Sequence, residues 1–527
     1  MTAGGCIGYV PAASTNYQTW ALCDTSIMEP KGDWVSCQFV VPQEVESFRI
    51  VIADTQLPAG NAYFDDIQVV NGSENEITTT CTGVQVPSVN PLGNRGYSNA
   101  VVDKLSTLLT AGRLGSKTKS IVVNAFDNAG SANDGLRVAQ QLILTTAEFH
   151  TTNIVKSTNE AREDITYPKR TGKPYRAVIY LYLEGGCDSF NMLAPHTCSN
   201  GLYESYLDVR QNVALSKNQL LPIPASDQVC SEFGIHHDLP AVKALYDDKD
   251  LTFFANTGVL SRPVNKENYF TETNVQLFSH NHMHREAMTI DPYEINIGTG
   301  VLGRMKDILS EEGHNVGSFS VNGLTVALVG KPGVSDSPVV VGREGVQEVY
   351  LDATRSELAN LHNKTRPESG VFAETWSSLL MESIGTNDLL GRQLDGLTTF
   401  VEFPESNLGS SLETISKIIA TRNDRGVDVD TFYISHPGFD THQNVETYLR
   451  GRFIELNGAI SAFSEEMKMM HIWNNVTVIQ SSDFGRTLNP NGNDGTDHAW
   501  GGNYMMMGGS VKGGKILGQY PDDLTDD

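Results

Sequence analysis

The sequence predicts an α/β protein whose main body, residues 175–527, is a mostly parallel sheet flanked by helices, preceded by a β-sandwich and a short helical segment. Three observations carry that expectation. From about residue 175, apolar runs of strand length alternate with amphipathic stretches of helix length, the rhythm of a parallel sheet covered on both faces. Acidic and imidazole side chains recur directly after those apolar runs, and in a parallel sheet all such strand ends lie on one edge. Before residue 73, short runs alternate apolar and polar residues between turns, which is the antiparallel pattern.

The first 72 residues contain "YQTWALCD", "DWVSCQFVVP", "SFRIVIADTQ" and "AYFDDIQVVNG", the spacing of an antiparallel sandwich. The closing "YFDDIQVVNG" resembles the last strand of jelly-roll carbohydrate-binding modules, and a polysaccharide partner is what that resemblance implies. Trp20 and Trp34 fit buried core aromatics, and they also fit sugar-stacking rings. About five strands are countable where such a roll has about eight, so its beginning is expected to be missing. Residues 73–96 read as a polar linker, and 97–160 as a helical segment with apolar residues at helix spacing. That segment resembles the C-terminal helices of the domain of unknown function 1800 family, which implies the tail of a domain.

In the main body, "YRAVIYLYLEGG", "LTFFANTG", "DVDTFYISHPG" and "VTVIQSS" read as buried strands and "PAVKALYDDKD" as a helix. Residues 445–473 read as one long helix, because Leu449, Phe453, Leu456, Ile460, Phe463, Met467 and Met470 recur every four then three residues on one face.

Bulk composition narrows the function. A chain of 527 residues holds about three units at roughly 100 to 200 residues each. The net charge of -25 repels nucleic acid and anionic lipid, so no nucleic-acid partner is expected. No stretch approaches the roughly 18 apolar residues of a membrane span. The seven cysteines form no C-x-x-C pair, and disulfides outside the cytosol are their expected use. Connectivity stays open; Cys198 with Cys230 is the preferred bridge and Cys187 a candidate buried thiol. The protein is accordingly expected to be secreted or at the cell surface. Its start lacks the basic residues and apolar core of a signal peptide, and its C-terminal end is expected to be truncated.

Chemistry concentrates after the strands. "YLYLEGG" is followed by Asp188, "TFYISHPG" by Asp440 and His442, and "VTVIQSS" by Asp483 and Arg486, while "LFSHNHMHRE" brings Ser279, His280, His282 and His284. Asp497 and His498 follow in a loop of small residues. Each aspartate alone fits a helix N-cap as well as a ligand, and the last loop alone fits a surface turn. Together, carboxylates brought to one edge repel unless a cation joins them. Mixed Asp and His ligands suit a divalent metal, zinc, manganese or calcium, as one or two ions.

The motifs "LEGGCDSFNMLAPH", "LFSHNHMHRE", "HPGFDTHQNV", "SSDFGRTLNPNGNDGTDHAWGG" and "GGSVKGGKILGQYP" resemble successive signatures of the domain of unknown function 1501 family, which is distantly similar to alkaline phosphatases and sulfatases. The resemblance implies an alkaline phosphatase-like fold over residues 175–527, with metal ligands at Asp188, Asp440, His442, Asp483 and His498. It implies Ser279 as the nucleophilic hydroxyl. Phe484 stands where that superfamily has a ligating His, so His280 or His282 is expected to replace it. No cysteine lies near residue 279, which removes the Cys-x-Pro-x-Arg route to sulfatase chemistry. The expected activity is metal-dependent hydrolysis of a phosphate or related ester, small-molecule or glycan-linked. Ser279 or a water attacks in line, and Arg486 steadies the substrate oxyanion. His442 or His498 serves as acid or base when not on the metal. The rival expectation is a catalytically degenerate surface or matrix protein with an adhesive, glycan-binding role.

Overall fold

The computed structural model describes residues 95–527, apart from 294–297, 322, 335, 347–350, 352 and 525–527, together with six short strands before residue 95. The chain divides into two compact units, Met1–Val101 with Phe126–Leu136, and Val102–Ala125 with Arg137–Asp527.

The six early strands, Cys6–Val10, Gln18–Leu22, Cys37–Val40, Ser47–Val51, Val70–Asn71 and Glu76–Thr79, pair antiparallel in two three-stranded sheets. The jelly roll expected over 1–72 and the side chains of Trp20 and Trp34 lie outside the described residues. Glu76–Thr79 falls within the expected linker, where Ile and two Thr favour extended backbone. Helices Arg95–Thr110, Ser116–Asn128, Ala132–Thr145 and Ala147–His150 occupy the expected helical segment only as far as residue 150. From 151 to 160 the chain is extended and turning, and Ser157 bridges Thr365.

The second unit is built on a sheet of eight strands: β1 (Arg176–Glu184), β2 (Leu251–Thr257), β3 (Val316–Val321), β4 (Val339–Val341), β5 (Val429–Pro437), β6 (Val476–Ser482), β7 (Gly502–Met507) and β8 (Lys515–Gly518). Their order is β4-β3-β5-β1-β6-β7-β2-β8. Every neighbouring pair is parallel except those made by β7, which runs against both β6 and β2. In β1, Ile179 faces Phe432 of β5 on one side and Val478 of β6 on the other.

β1 is a continuous run of Ala, Val, Ile, Leu and Tyr from 177 to 183 because both of its faces are covered. Ala177, Ile179, Leu181 and Leu183 join the large core with Leu449, Phe453, Leu456, Ile460, Phe463 and Met467 of the helix Val445–Met469. On the other face Tyr180 and Tyr182 pack with Ala287, Met288 and Leu302 from helices His280–Thr289 and Val301–Glu311. The long helix stops at Met469, short of the expected 473, because His471 takes a positive φ of 57° and the chain tightens into Trp473–Asn475.

A smaller antiparallel sheet, Leu193–Thr197, Glu232–His236 and Leu220–Pro224, flanks the large one in sequence between β1 and β2. The expected bridge is present between Cys198 and Cys230. Cys187 is a buried free thiol, pushed up by burial and by the neighbouring Asp188. The other four cysteines have no described side chains.

Candidate metal centre

The loops that matter all leave the carboxyl edge of the sheet. After β5, Phe439 is buried against Phe453 and His436, so the next residue, Asp440, is left half-exposed outside the core. After β6, Asp483 is buried at the strand end. The helix His280–Thr289, entered from β2 through a long loop, brings His280 with its first turn. A hairpin whose ends are joined by the Arg486 and His498 bridge returns His498. Gly185, at φ 120°, is required where these loops meet, because a Cβ there would lie 2.5 Å from the amide nitrogen of Asp440.

Four side chains converge on Asp440 Oδ1: His442 Nε2 at 3.1 Å, His280 Nε2 at 3.5 Å and His498 Nε2 at 3.5 Å, with the buried Arg486 guanidinium hydrogen-bonded to the same oxygen. Each imidazole is anchored through its other nitrogen. His280 Nδ1 donates to Asp483 Oδ2 at 2.6 Å, His442 Nδ1 to Asp497 Oδ1 at 2.9 Å, and His498 Nδ1 to the carbonyl of Phe278 at 2.8 Å. A neutral ring that donates from Nδ1 presents a lone pair at Nε2. Three such lone pairs and a carboxylate oxygen therefore face one another, and His442 Nε2 and His498 Nε2 are only 2.8 Å apart.

That arrangement asks for positive charge among the rings. Protonation is opposed at His498, whose ring is pushed below its ordinary value by burial and then by Arg486, His280 and His442, against the Phe278 carbonyl. A divalent cation suits His280, Asp440 and His498, whose ligand atoms lie within 4.8 Å of one another, with His442 Nε2 beside Asp440 and His498, and imidazoles held by carboxylates or carbonyls are the usual surroundings of one. The donor set, three imidazole nitrogens and one carboxylate, fits zinc or a similar ion.

The electrostatics keep Asp440 and Asp497 ionised. Burial raises the Asp440 carboxyl, but the Arg486 hydrogen bond and charge, with His442 and His280, bring it below the usual carboxylate range. Asp497 is lowered by Asn491 and by His442 against partial burial. Asp483 Oδ1 receives the Tyr182 hydroxyl and the Gly185 amide; burial and Asp483 push Tyr182 far up, so it stays a donor.

Another triad, His236, His237 and Asp238, has metal-compatible spacing as do His280, Asp440 and His498. Arg450 Nε already lies 3.3 Å from Asp238 Oδ2, so a cation is in place there.

Of the residues expected from sequence, His280, Asp440, His442 and His498 are brought together. Three others sit differently. Asp188, expected as a ligand, is fully buried in an ion pair with Arg210 at 2.7 Å, because the turn after β1 folds inward. Asp483, also expected as a ligand, has both oxygens engaged by Tyr182, Gly185 and His280. Arg486, expected on the substrate, is 0% exposed and spends its donors on the carbonyls of Gly185, Gly186 and Thr496 and on Asp440. Ser279 caps the helix position before His280 without a capping hydrogen bond. Phe484 packs against the rings of His280 and His498 at 4.9 and 4.5 Å. Asp497 and Tyr182, which complete the arrangement, were not expected in these roles; Asp497 is signalled only by standing beside His498.

A cavity of about 550 Å³ opens beside the cluster, walled by His280, Asp440 and Asp483 on one side and carrying Glu184, Asn281 and His284 as further polar groups. His284 is held edge-on to Tyr182, with ring centres 4.8 Å apart.

Residues 399–526 match the family described as "Protein of unknown function (DUF1501)". No curated protein matches the chain. Among solved structures, the C-terminal periplasmic domain of EcEptC from Escherichia coli in complex with Zn is similar at 8% identity and a TM-score of 0.30, covering 67% of this chain and 78% of that one. Phosphonate monoester hydrolase of Agrobacterium radiobacter is similar at 10% identity and 0.27, covering 65% and 70%. PsFucS1 sulfatase from Pseudoalteromonas sp. is similar at 11% identity and 0.22, covering 69% and 71%. At these scores the likeness is too slight to assign chemistry to this chain.

Proposed function

We propose that the chain is a divalent-metal-dependent hydrolase of phosphate or related esters, small-molecule or glycan-linked, working in the cavity beside Asp440. The observation that carries this reading is the set of three imidazoles, each anchored at Nδ1, whose Nε2 lone pairs surround one carboxylate oxygen. His280, Asp440, His442 and His498 would hold the ion. When bound, it supplies a Lewis acid that polarises the ester oxygen and makes the nucleophile more acidic.

The chain's own residues do the remainder. Asp483 and Asp497 keep His280 and His442 in the tautomer that leaves Nε2 free. Arg486 keeps Asp440 ionised and fixed. His284, in the cavity wall and outside the ligand set, is positioned to carry a proton to the leaving group. The nucleophile is either the Ser279 hydroxyl, adjacent in the chain to His280, or a water, and Ser279→Ala separates the two. The Cys198–Cys230 bridge supports a site of action outside the cytosol, and the N-terminal strands are read as the polysaccharide-binding part.

Metal analysis of the purified protein tests the reading, together with turnover of aryl phosphate monoesters, diesters and sulfates by wild type and His498→Ala. Bound metal and turnover that both disappear in the variant are expected. A protein that neither retains zinc, manganese or calcium nor turns over any of these esters sinks it; glycan-array binding by such a protein would establish the adhesive role instead.

A further inference from the structure

We infer that the buried Asp188–Arg210 pair is a positioning clamp for the metal centre, holding the base of the hairpin that delivers Asp497 and His498. The inference rests on the metal reading above. Asp188 Oδ2 accepts from Arg210 Nη2 at 2.7 Å and from Thr496 Oγ1 at 3.1 Å. Arg210 Nη1 donates to the carbonyls of Thr487 and Leu488 at 3.3 and 3.2 Å. The pair thus grips the outgoing arm of the hairpin at 487–488 and the returning arm at 496.

Thr496 is the junction. Its hydroxyl is on the clamp, its carbonyl accepts from Arg486 Nη1 at 2.8 Å, and its amide donates at 3.0 Å to the carbonyl of Thr441, the residue between Asp440 and His442. His498 follows two residues later. Thr487 N donates to the Asp497 carbonyl at 2.9 Å and keeps the two arms in step.

The amino acids of the hairpin explain why a clamp is needed. Between Leu488 and Thr496 the chain reads Asn-Pro-Asn-Gly-Asn-Asp-Gly, with no large apolar side chain to anchor it in a core. A segment of that composition holds a ligand in place only through polar ties.

The pair is also poorly built as a mere stabiliser. Both side chains are closed from solvent, and Asp188 Oδ1 and Arg210 Nε are buried without hydrogen-bond partners among the described residues. Buried pairs left incompletely satisfied are commonly matched or bettered in stability by apolar residues.

Zinc titration of the metal-stripped full chain, read beside thermal unfolding, tests the clamp. Thr496→Val removes the hydroxyl and leaves Asp188 paired with Arg210; zinc affinity should fall about 10-fold or more, the range seen when the support of a ligand is removed. Thr496→Ser should restore wild-type affinity. The double variant Asp188→Leu with Arg210→Met should unfold as cooperatively as wild type and bind zinc at least as weakly as Thr496→Val. Either Thr496→Val or the double variant, if it unfolds cooperatively yet binds zinc like wild type, overturns the inference. Wild-type protein that takes up neither zinc, manganese nor calcium removes the metal reading, and the clamp with it.

Discussion

Asp440 and Asp188 both follow strands of one sheet at its carboxyl edge, yet Asp440 is 49% exposed among three imidazoles while Asp188 is closed from solvent against Arg210. Around Asp440 the surplus is of lone pairs: Arg486 meets the carboxylate, and among the described residues the Nε2 atoms of His280, His442 and His498 face only that carboxylate and one another. Around Asp188 one guanidinium meets one carboxylate and further hydrogen bonds run to backbone carbonyls and Thr496. A ligand site is thus told from a structural pair by what charge its donors still lack, since a strand-end aspartate is common to both.

The comparison can be broken by exchanging the consequences of the two aspartates. Asp188→Ala strands a buried guanidinium and should cost about 3 to 5 kcal/mol of folding stability, measured by urea unfolding; a change within experimental scatter would show that the pair is not buried in solution. His498→Ala should instead leave unfolding close to wild type and weaken zinc binding by roughly 100-fold or more, read by competition with a chromophoric chelator. Equal zinc affinity in that variant would place the ion elsewhere. Asp497→Asn keeps the shape but weakens the anchor of His442, and about a 10-fold loss of zinc affinity is expected.

Acid titration sharpens the same contrast with the smallest effect per group. Burial pushes the rings of His236, His362 and His436 down to about 4, helped by His237, Arg162 and Arg452 respectively. A lowered folded value means the unfolded chain binds the proton more readily, so their stabilisation is full above the ordinary value near 6.5 and lost as pH falls towards 4. By pH 6 each ring should have cost on the order of 1 kcal/mol. Unfolding curves between pH 7 and 4.5 check this, and stability that rises on acidification across that window would contradict it.

Much of the site was legible because the signals are local. Continuous apolar runs such as Arg176–Glu184 and Val429–Pro437 announce buried parallel strands, and parallel strands oblige Asp440, His442 and the residues after Val476–Ser482 to share an edge. Of the two imidazoles expected to make up for the absent His at 484, His280 is the one that hydrogen-bonds Asp483. The different settings of Asp188 and Asp440 are not legible, because "GGCDSF" and "PGFDTH" look alike as strings. In the first, Cys187, Asp188, Ser189 and Phe190 are all buried, and the turn closes with the Asn191 amide on the Asp188 carbonyl; in the second, Phe439 and Thr441 are buried and Asp440 between them faces out. The setting of Arg486 is hidden for a related reason, as nothing in "SSDFGRT" tells that Gly185, Gly186 and Thr496 claim its donors.

The sequence by itself determined the sheet, its buried central strand and the edge at which acids and imidazoles gather, because hydrophobic periodicity is written within ten residues or so. Only the tertiary structure decided which of those acids meets imidazoles and which meets a guanidinium. Charge compensation is settled by partners far apart in the chain, 203 residues for His280 with Asp483 and 22 for Asp188 with Arg210, and no local pattern encodes which of them will arrive.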